Sequence, residues 1–299
     1  MKLFSNFLRK RKIRTQFENQ CSVDLIKKLQ QNLSVVNLHG DIRPITVICC
    51  DVSKFSEEFE PHKHNVISIV SFMRRFRTAE TDIVLKHQGF LGKHTSSGIV
   101  AFWNAPLDIK DYHEQAVKSS LEIIKSQTSL NQNKLLPLGI SIGISTGDAI
   151  VGNTAQFGKF DYNCVGRPVN LSCELANQTR NYGVNIILDE ETVSGLDKTW
   201  VVVELDVIFV PNMNTNIRIY TVLCQYIMES PQTVVISKTV HAKFLNAYRE
   251  QRWEMAMTIA SNLKLSWNGQ LSNYYSIMIE KCRKLKNNIP MESNKDYII

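Results

Sequence analysis

Apolar residues in this chain fall into runs whose period changes from segment to segment, and the changes mark out elements. Ile45-Thr46-Val47-Ile48-Cys49-Cys50 is a continuous, mostly apolar run, the pattern of a strand buried on both faces, and it ends in Asp51-Val52-Ser53. Residues 62–87 place Val66, Ile69, Val70, Phe72, Met73, Phe76, Ile83 and Val84 at helical spacing and predict a long helix. Gly89–Trp103 reads as a hairpin with a polar turn, and a helix is expected around His113–Lys125. Leu138–Asn153 alternates apolar and small residues on either side of Thr146-Gly147-Asp148. That predicts two strands joined by a tight turn, with glycine at positive φ. A short strand over Asp161–Val165 is broken by Gly166, and Pro168 opens a helix that runs to about Gln178. Asn170 and Glu174 are four apart and share one side of that helix, whose N-terminus suits a phosphate. Beyond it, Tyr182–Leu188 predicts a strand and Glu190–Ser194 a short helix. Trp200–Val203, Ile208–Val210 and Ile217–Thr221 read as closing strands.

Two further helical segments flank this core. Residues 21–41 hold an amphipathic helix with Val23, Leu25, Ile26, Leu29 and Leu33 on one side. His241–Leu263 fits a helix–turn–helix with small residues at the crossing, similar to a single tetratricopeptide-like hairpin. One such repeat cannot bury its own face. It is therefore expected to pack on Tyr274–Lys286 and on the preceding domain as a structural cap, a partner-binding groove being the alternative. The expected organisation is a basic N-terminal segment and linker helix over 1–44, a main domain over 45–224 and a helical tail over 225–299.

Composition narrows the class. The 299 residues are 43% hydrophobic and 21% charged, as in an ordinary globular protein. No apolar run reaches about 18 residues, so no transmembrane helix is expected. The formal net charge is +7, and much of the excess sits in Lys2, Arg9, Lys10, Arg11, Lys12 and Arg14 and in Lys281, Arg283, Lys284 and Lys286. The basic N-terminus lacks the apolar core of a signal peptide. It reads as a solvated, partly disordered tail, with peripheral contact to an anionic membrane as the alternative. No nucleic-acid motif is present, so no nucleic-acid partner is expected. The seven cysteines show no CxxC spacing. Cys49, Cys50, Cys164 and Cys173 fall inside apolar patterns and read as small buried residues in a reducing cytoplasm, rather than as part of a disulfide or zinc framework.

One resemblance is specific. Ile142-Gly143-Ile144-Ser145-Thr146-Gly147-Asp148, then Gly152-Asn153, Asp161-Tyr162-Asn163, Gly166 and Val169-Asn170-Leu171 resemble the signature of class III adenylyl/guanylyl cyclase catalytic domains. Upstream, Ile45–Ser56 and Gly89–Pro106 are similar to two further family segments. The resemblance covers about residues 43–222. It implies an α+β fold: a ferredoxin-like βαββαβ core with extra strands, here with a C-terminal helical extension. It also implies two-domain pairing, as a homodimer or as a heterodimer with another cyclase domain.

By the same resemblance, Asp51 falls on a metal ligand and Val52 lends its backbone carbonyl to a Mg²⁺ or Mn²⁺ ion. Ser53, Lys54, Phe55 and Ser56 fall on the phosphate cradle. Lys93 and Asn163 fall on the base-reading pair, and Asn170 on the residue that contacts ribose and phosphate in the transition state. Two positions depart from the family: Ser97 stands in place of the second metal aspartate and Glu174 in place of the transition-state arginine. Pro211-Asn212 falls near the position of a family lysine that meets the phosphates, so that lysine is expected to be missing. The implied substrate is ATP or GTP, and the implied reaction is cyclisation with release of pyrophosphate. Two readings stay open: a cyclase that is weak or inactive alone, or a dead cyclase-homology module that binds nucleotide or another cyclase subunit and regulates it.

Overall fold

The computed structural model describes residues 2–31, 40–53, 66–95, 97–131, 139–154, 160–223 and 230–287. The chain divides into two compact units, residues 1–177 and 178–299. The boundaries expected near residues 45 and 225 both fall inside these units. The N-terminal helices share a core with β1 to β5, and the C-terminal helices pack on β7.

In the first unit, β1 (Asp41–Ser53) is followed by α3 (Val66–Lys86), β2 (Phe90–His94), β3 (Gly98–Trp103), α4 (Tyr112–Asn131) and β4 (Gly139–Asn153). The strands lie in the order β2-β3-β1-β4, each antiparallel to its neighbour, the βαββαβ arrangement expected from sequence. A short β5 (Tyr162–Val165) pairs with the far half of β4, and α5 (Arg167–Tyr182) follows it.

Alternation along β1 divides its side chains between two cores. Ile45, Val47 and Cys49 join Phe90, Val100, Phe102, Ala149, Tyr162 and Ala176 in one buried cluster. Thr46, Ile48 and Cys50 point to the other face, where the Thr46 and Thr146 hydroxyls meet at 2.8 Å.

Two expectations are corrected here. The turn predicted at Thr146-Gly147-Asp148 does not exist: β4 runs unbroken from Gly139 to Asn153, and Gly147 pairs with Ile45 in mid-strand. The reason is β1, which is long enough to pair with β4 over its whole length. A glycine in this motif is required for another purpose. A Cβ on Gly143 would stand 1.9 Å from the Ser172 carbonyl oxygen and 2.4 Å from the Ala176 nitrogen, so α5 lies directly on the β4 backbone.

Nor is the N-terminus a tail. Lys2–Phe17 forms α1 and Val23–Gln31 forms α2. Ile13, Phe17, Cys21, Leu25, Ile26 and Leu29 all enter the cluster that holds Cys49 and Tyr162. Phe17 is fully buried, with its ring 5.7 Å from Phe90, 4.8 Å from Phe160 and 5.7 Å from Tyr162. Burying a side chain of that size contributes about 1.5–3 kcal/mol, enough to hold a charged helix in place. Leu33 lies outside the described residues.

In the second unit, β6 (Ile186–Asp189) leads into α6 (Glu190–Ser194), and β6, β7 (Val202–Val210) and β8 (Thr215–Val222) pair in the antiparallel order β6-β8-β7. Helices α7 (Pro231–Arg249), α8 (Trp253–Leu263) and α9 (Ser272–Lys286) follow. Ala256 and Ala260 are fully buried, so small residues let α8 approach its neighbours closely. The layer packs against β7: Tyr274 donates to the Leu205 carbonyl at 2.7 Å and a buried His241 lies 2.6 Å from the Glu204 carbonyl. No described helix is long and apolar enough to cross a membrane.

Candidate functional site

The end of β1 carries the first group of candidate residues. Asp51 stands opposite Gly98 on β3 and Ser141 on β4. The turn between β2 and β3 is pulled onto β1, with Thr95 N–H donating to the Gly98 carbonyl at 3.0 Å and Val52 N–H to the Ser97 carbonyl at 3.0 Å. Only glycine fits after Ser97, because a Cβ at position 98 would stand 1.9 Å from the Cys50 carbonyl oxygen. Ser97 is therefore fixed beside Asp51 and Val52.

Asp51 Oδ1 is buried and has no hydrogen-bond partner. An orphaned carboxylate oxygen is costly unless something else satisfies it. The Asp51 carboxylate, the Val52 carbonyl and the Ser97 hydroxyl are hard oxygen donors, the kind that Mg²⁺ prefers, and that ion commonly takes one or two protein carboxylates and completes its shell with water or phosphate. Among the described residues no cluster of three or more His, Cys, Asp and Glu is placed to enclose a metal. The residues present thus fit one ion shared with phosphates, not a closed site.

A second carboxyl lies under the same strand end and was missed from sequence. Glu80 on α3 is 1% exposed, with the Cys50 thiol as its hydrogen-bonding neighbour. Burial pushes it up to about 8, and the Asp51 charge adds to that, while the Cys50 thiol and the Arg77 guanidinium pull the other way. A glutamate within a helix reads as a solvent-facing residue. The only signal was its place among the apolar positions Phe76, Ile83 and Val84.

Helix α5 carries the second group. Its Cys173 lies against Cys49 of β1, and a hydrogen bond from the Cys49 thiol draws the Cys173 thiol below its ordinary value, with burial and the Asp51 and Glu174 charges opposing. Asn170 is exposed and Glu174 half-buried, one turn apart on the same side. Lys93 and Asn163 lie on β2 and β5, which pair with β3 and β4 respectively. Lys93 is exposed on β2, and the Cβ direction of the adjacent Gly92 meets Asn163 Oδ1 at 3.3 Å. That Oδ1 also accepts from Cys164 N–H at 2.9 Å. Ser53 is the last residue of β1, and Lys54, Phe55 and Ser56 lie outside the described residues. Between β7 and β8 the chain makes a short turn, Pro211–Met213, closed by Asn214 in the left-handed region at φ 46°, with no lysine in it.

Comparison with known proteins agrees with the fold. No protein-family model matches the chain. An adenylate cyclase of Anabaena cylindrica is 25% identical over 160 residues, 52% of this chain and 31% of that protein. Among solved structures, a guanylyl cyclase is 25% identical with a TM-score of 0.57, covering 61% of this chain and 93% of that one. The adenylyl cyclase CyaB from P. aeruginosa is 22% identical with a TM-score of 0.56, covering 62% of this chain and 96% of that one. The match spans less than a third of the length of the curated relatives.

Proposed function

The chain carries the catalytic-domain fold of the class III nucleotidyl cyclases, and from that premise we propose that it binds a nucleoside triphosphate with a single divalent cation and turns it over weakly or not at all. The observation that supports this reading most is the end of β1: one carboxylate with a buried orphaned oxygen, Asp51, beside a neutral Ser97.

In this reading Asp51, the Val52 carbonyl and the Ser97 hydroxyl hold Mg²⁺ or Mn²⁺ together with the nucleotide phosphates. The bound ion supplies charge neutralisation at the triphosphate. Lys93 and Asn163 read the base of ATP or GTP, and Asn170 contacts the ribose and α-phosphate. Cyclisation requires the ribose 3′ oxygen to attack the α-phosphate while pyrophosphate leaves, so negative charge builds where the protein must offer cations. Glu174 offers the opposite. Loss of a transition-state arginine costs about 10³–10⁵ in rate in comparable phosphoryl chemistry. A carboxylate about 4 Å from an anionic oxygen adds about 4 kcal/mol of repulsion at an effective dielectric of about 20. Arg167, which opens α5, is the nearest candidate to compensate.

A second reading gains from the exposed Lys93 and Asn170, with Asn163 on β5. These form a base-reading half-site that another cyclase domain, bringing two aspartates of its own, would complete in a heterodimer. Signalling through such pairing suits either reading.

The experiment is direct. Purified full chain is incubated with Mn²⁺ and ATP or GTP, and cyclic product is measured by chromatography. The same assay follows on Ser97→Asp combined with Glu174→Arg. Nucleotide binding without appreciable product in the unaltered chain, and product in the double variant, is the expected result. Turnover by the unaltered chain alone at ordinary enzymatic rates, about 1 s⁻¹ or faster, would overturn the reading.

A further inference from the structure

Strand register places one thiol of β1 under α5. Cys49 pairs with Gly143 of β4. Residues directly opposed in an antiparallel pair send their side chains to the same face. On that face Gly143 meets the helix: a Cβ there would stand 1.9 Å from the Ser172 carbonyl oxygen, 2.4 Å from the Ala176 nitrogen and 2.9 Å from Leu175 Cβ. Cys49 therefore points at the turn of α5 that spans residues 172–176. Cys173 lies in that turn and packs against the buried cluster that contains Cys49. The two thiols are in hydrogen-bonding contact, with Cys49 as the donor.

The two sulfurs differ in access and in character. Cys173 is half-buried, whereas Cys21, Cys49, Cys50, Cys164 and Cys282 are all buried. Burial pushes the thiols of Cys21, Cys50, Cys164 and Cys282 above their ordinary value. Cys173 is drawn the other way, first by the Cys49 thiol and then by Ser172, against burial and the Asp51 and Glu174 charges. Cys50, next to Cys49 in sequence, points to the opposite face of the sheet, beside Glu80. Cys164 feels the Cys173 charge without a hydrogen bond to it. Reactive cysteines are thiolate-prone, accessible and often set beside a second thiol that resolves the first oxidation product. Of the described cysteines, Cys173 has all three features, and Cys49 is the second thiol.

We propose that Cys49 and Cys173 are an oxidative modification site, which a peroxide closes into a disulfide that ties α5 to β1. In the first step the Cys173 sulfur attacks one oxygen of hydrogen peroxide. An S–O bond forms, the O–O bond breaks, and hydroxide leaves with the thiol proton as water. In the second step the Cys49 sulfur attacks the Cys173 sulfenic acid. The S–S bond forms, the S–O bond breaks, and a second water leaves with the Cys49 proton. Two thiols are oxidised by two electrons and one peroxide is reduced to two waters. The new bond joins position 49, two residues before Asp51, to position 173, between Asn170 and Glu174. Its effect on nucleotide rests on the reading that the chain binds a nucleoside triphosphate; its formation does not.

The test is peptide mass spectrometry on the reduced full chain. Under native conditions iodoacetamide should label Cys173 at least about tenfold faster than the five buried cysteines. Hydrogen peroxide should give a linked Cys49–Cys173 peptide that dithiothreitol reverses. Cys49→Ser should stop at a Cys173 sulfenic acid that dimedone captures. If circular dichroism shows that this variant does not fold, the linked peptide from the unaltered chain decides alone. Oxidation that bypasses Cys173, links it to Cys164, or carries it to the sulfinic acid with Cys49 still reduced would overturn the proposal. Calorimetric affinity for ATP with Mn²⁺ should change at least about threefold on oxidation, recover on reduction, and stay constant in peroxide-treated Cys173→Ser. A disulfide that leaves affinity unchanged would overturn its tie to the nucleotide site. No ATP binding by the reduced chain would remove the functional reading, and the linked peptide would still decide the thiol pair.

Discussion

The end of β1 and the helical layer on β7 treat buried polar groups in opposite ways. On β7, the Trp267 indole N–H donates to the Tyr275 hydroxyl at 3.1 Å, and that hydroxyl donates to His241 Nδ1 at 2.9 Å. His241 Nε2–H in turn donates to the Glu204 carbonyl, and Tyr274 to the Leu205 carbonyl. Asp206 takes the Tyr182 hydroxyl at 2.9 Å and the Val207 N–H at 2.8 Å, with Lys281 at 3.7 Å. These groups are spent on each other. At the end of β1, Asp51 Oδ1 and the Thr95 hydroxyl are buried without partners, and Glu80 is buried with a thiol beside it. Native proteins rarely leave such groups unsatisfied, and where several cluster they point to something the fold reserves them for. One region uses polarity to hold a shape; the other leaves polar atoms unspent.

Three changes sharpen or break that contrast. His241→Ala should have the largest effect, about 2–4 kcal/mol of lost stability. It opens a cavity and strands the Tyr275 hydroxyl and the Glu204 carbonyl. Denaturant unfolding measures it; a loss under about 1 kcal/mol would mean that the network is not what binds the layer to β7.

The second effect is a pair of opposed pH dependences. Glu80 is raised from 4.5 to about 8, so between those values the folded chain holds a proton that the unfolded chain has released, and stability falls as pH rises. His241 is lowered from 6.5 to about 4, so as pH drops through that window the unfolded chain takes up a proton first and stability falls with acidity. Glu80→Gln should flatten the alkaline slope, worth up to about 1.4 kcal/mol per pH unit, and leave the acid slope in place. Unfolding curves at several pH values check both arms, and an unchanged alkaline slope in the variant would contradict the burial argument.

Smallest is the expected effect of Asp51→Asn on stability, within about 1 kcal/mol and in either direction. The oxygen it neutralises has no partner to lose. A large destabilisation in thermal melts would show that Asp51 is structural after all.

Much of the fold was legible because alternation and helical spacing report burial, and β1, α3, the β2–β3 hairpin and α5 each carry such a pattern. The misreadings have physical causes. Glycine marks both turns and close approaches, and in the motif around residues 142–148 it is the approach of α5 at Gly143 that demands one. Six basic residues hid the spacing of Ile13, Phe17 and Cys21, although i, i+4, i+8 is a buried stripe. At the site, Asp51, Ser97, Lys93, Asn163 and Asn170 were legible as motif positions. Glu80 was not, because its burial comes from what the fold lays against it.

The central claim is that Asp51 keeps an oxygen free for a cation bound with nucleotide. Its most direct test is calorimetric affinity for ATP and GTP with and without Mn²⁺, in the unaltered chain and in Asp51→Asn. Mn²⁺ should tighten binding at least about tenfold in the former and by less than about twofold in the latter. Equal tightening in both proteins would place the cation elsewhere and contradict the account.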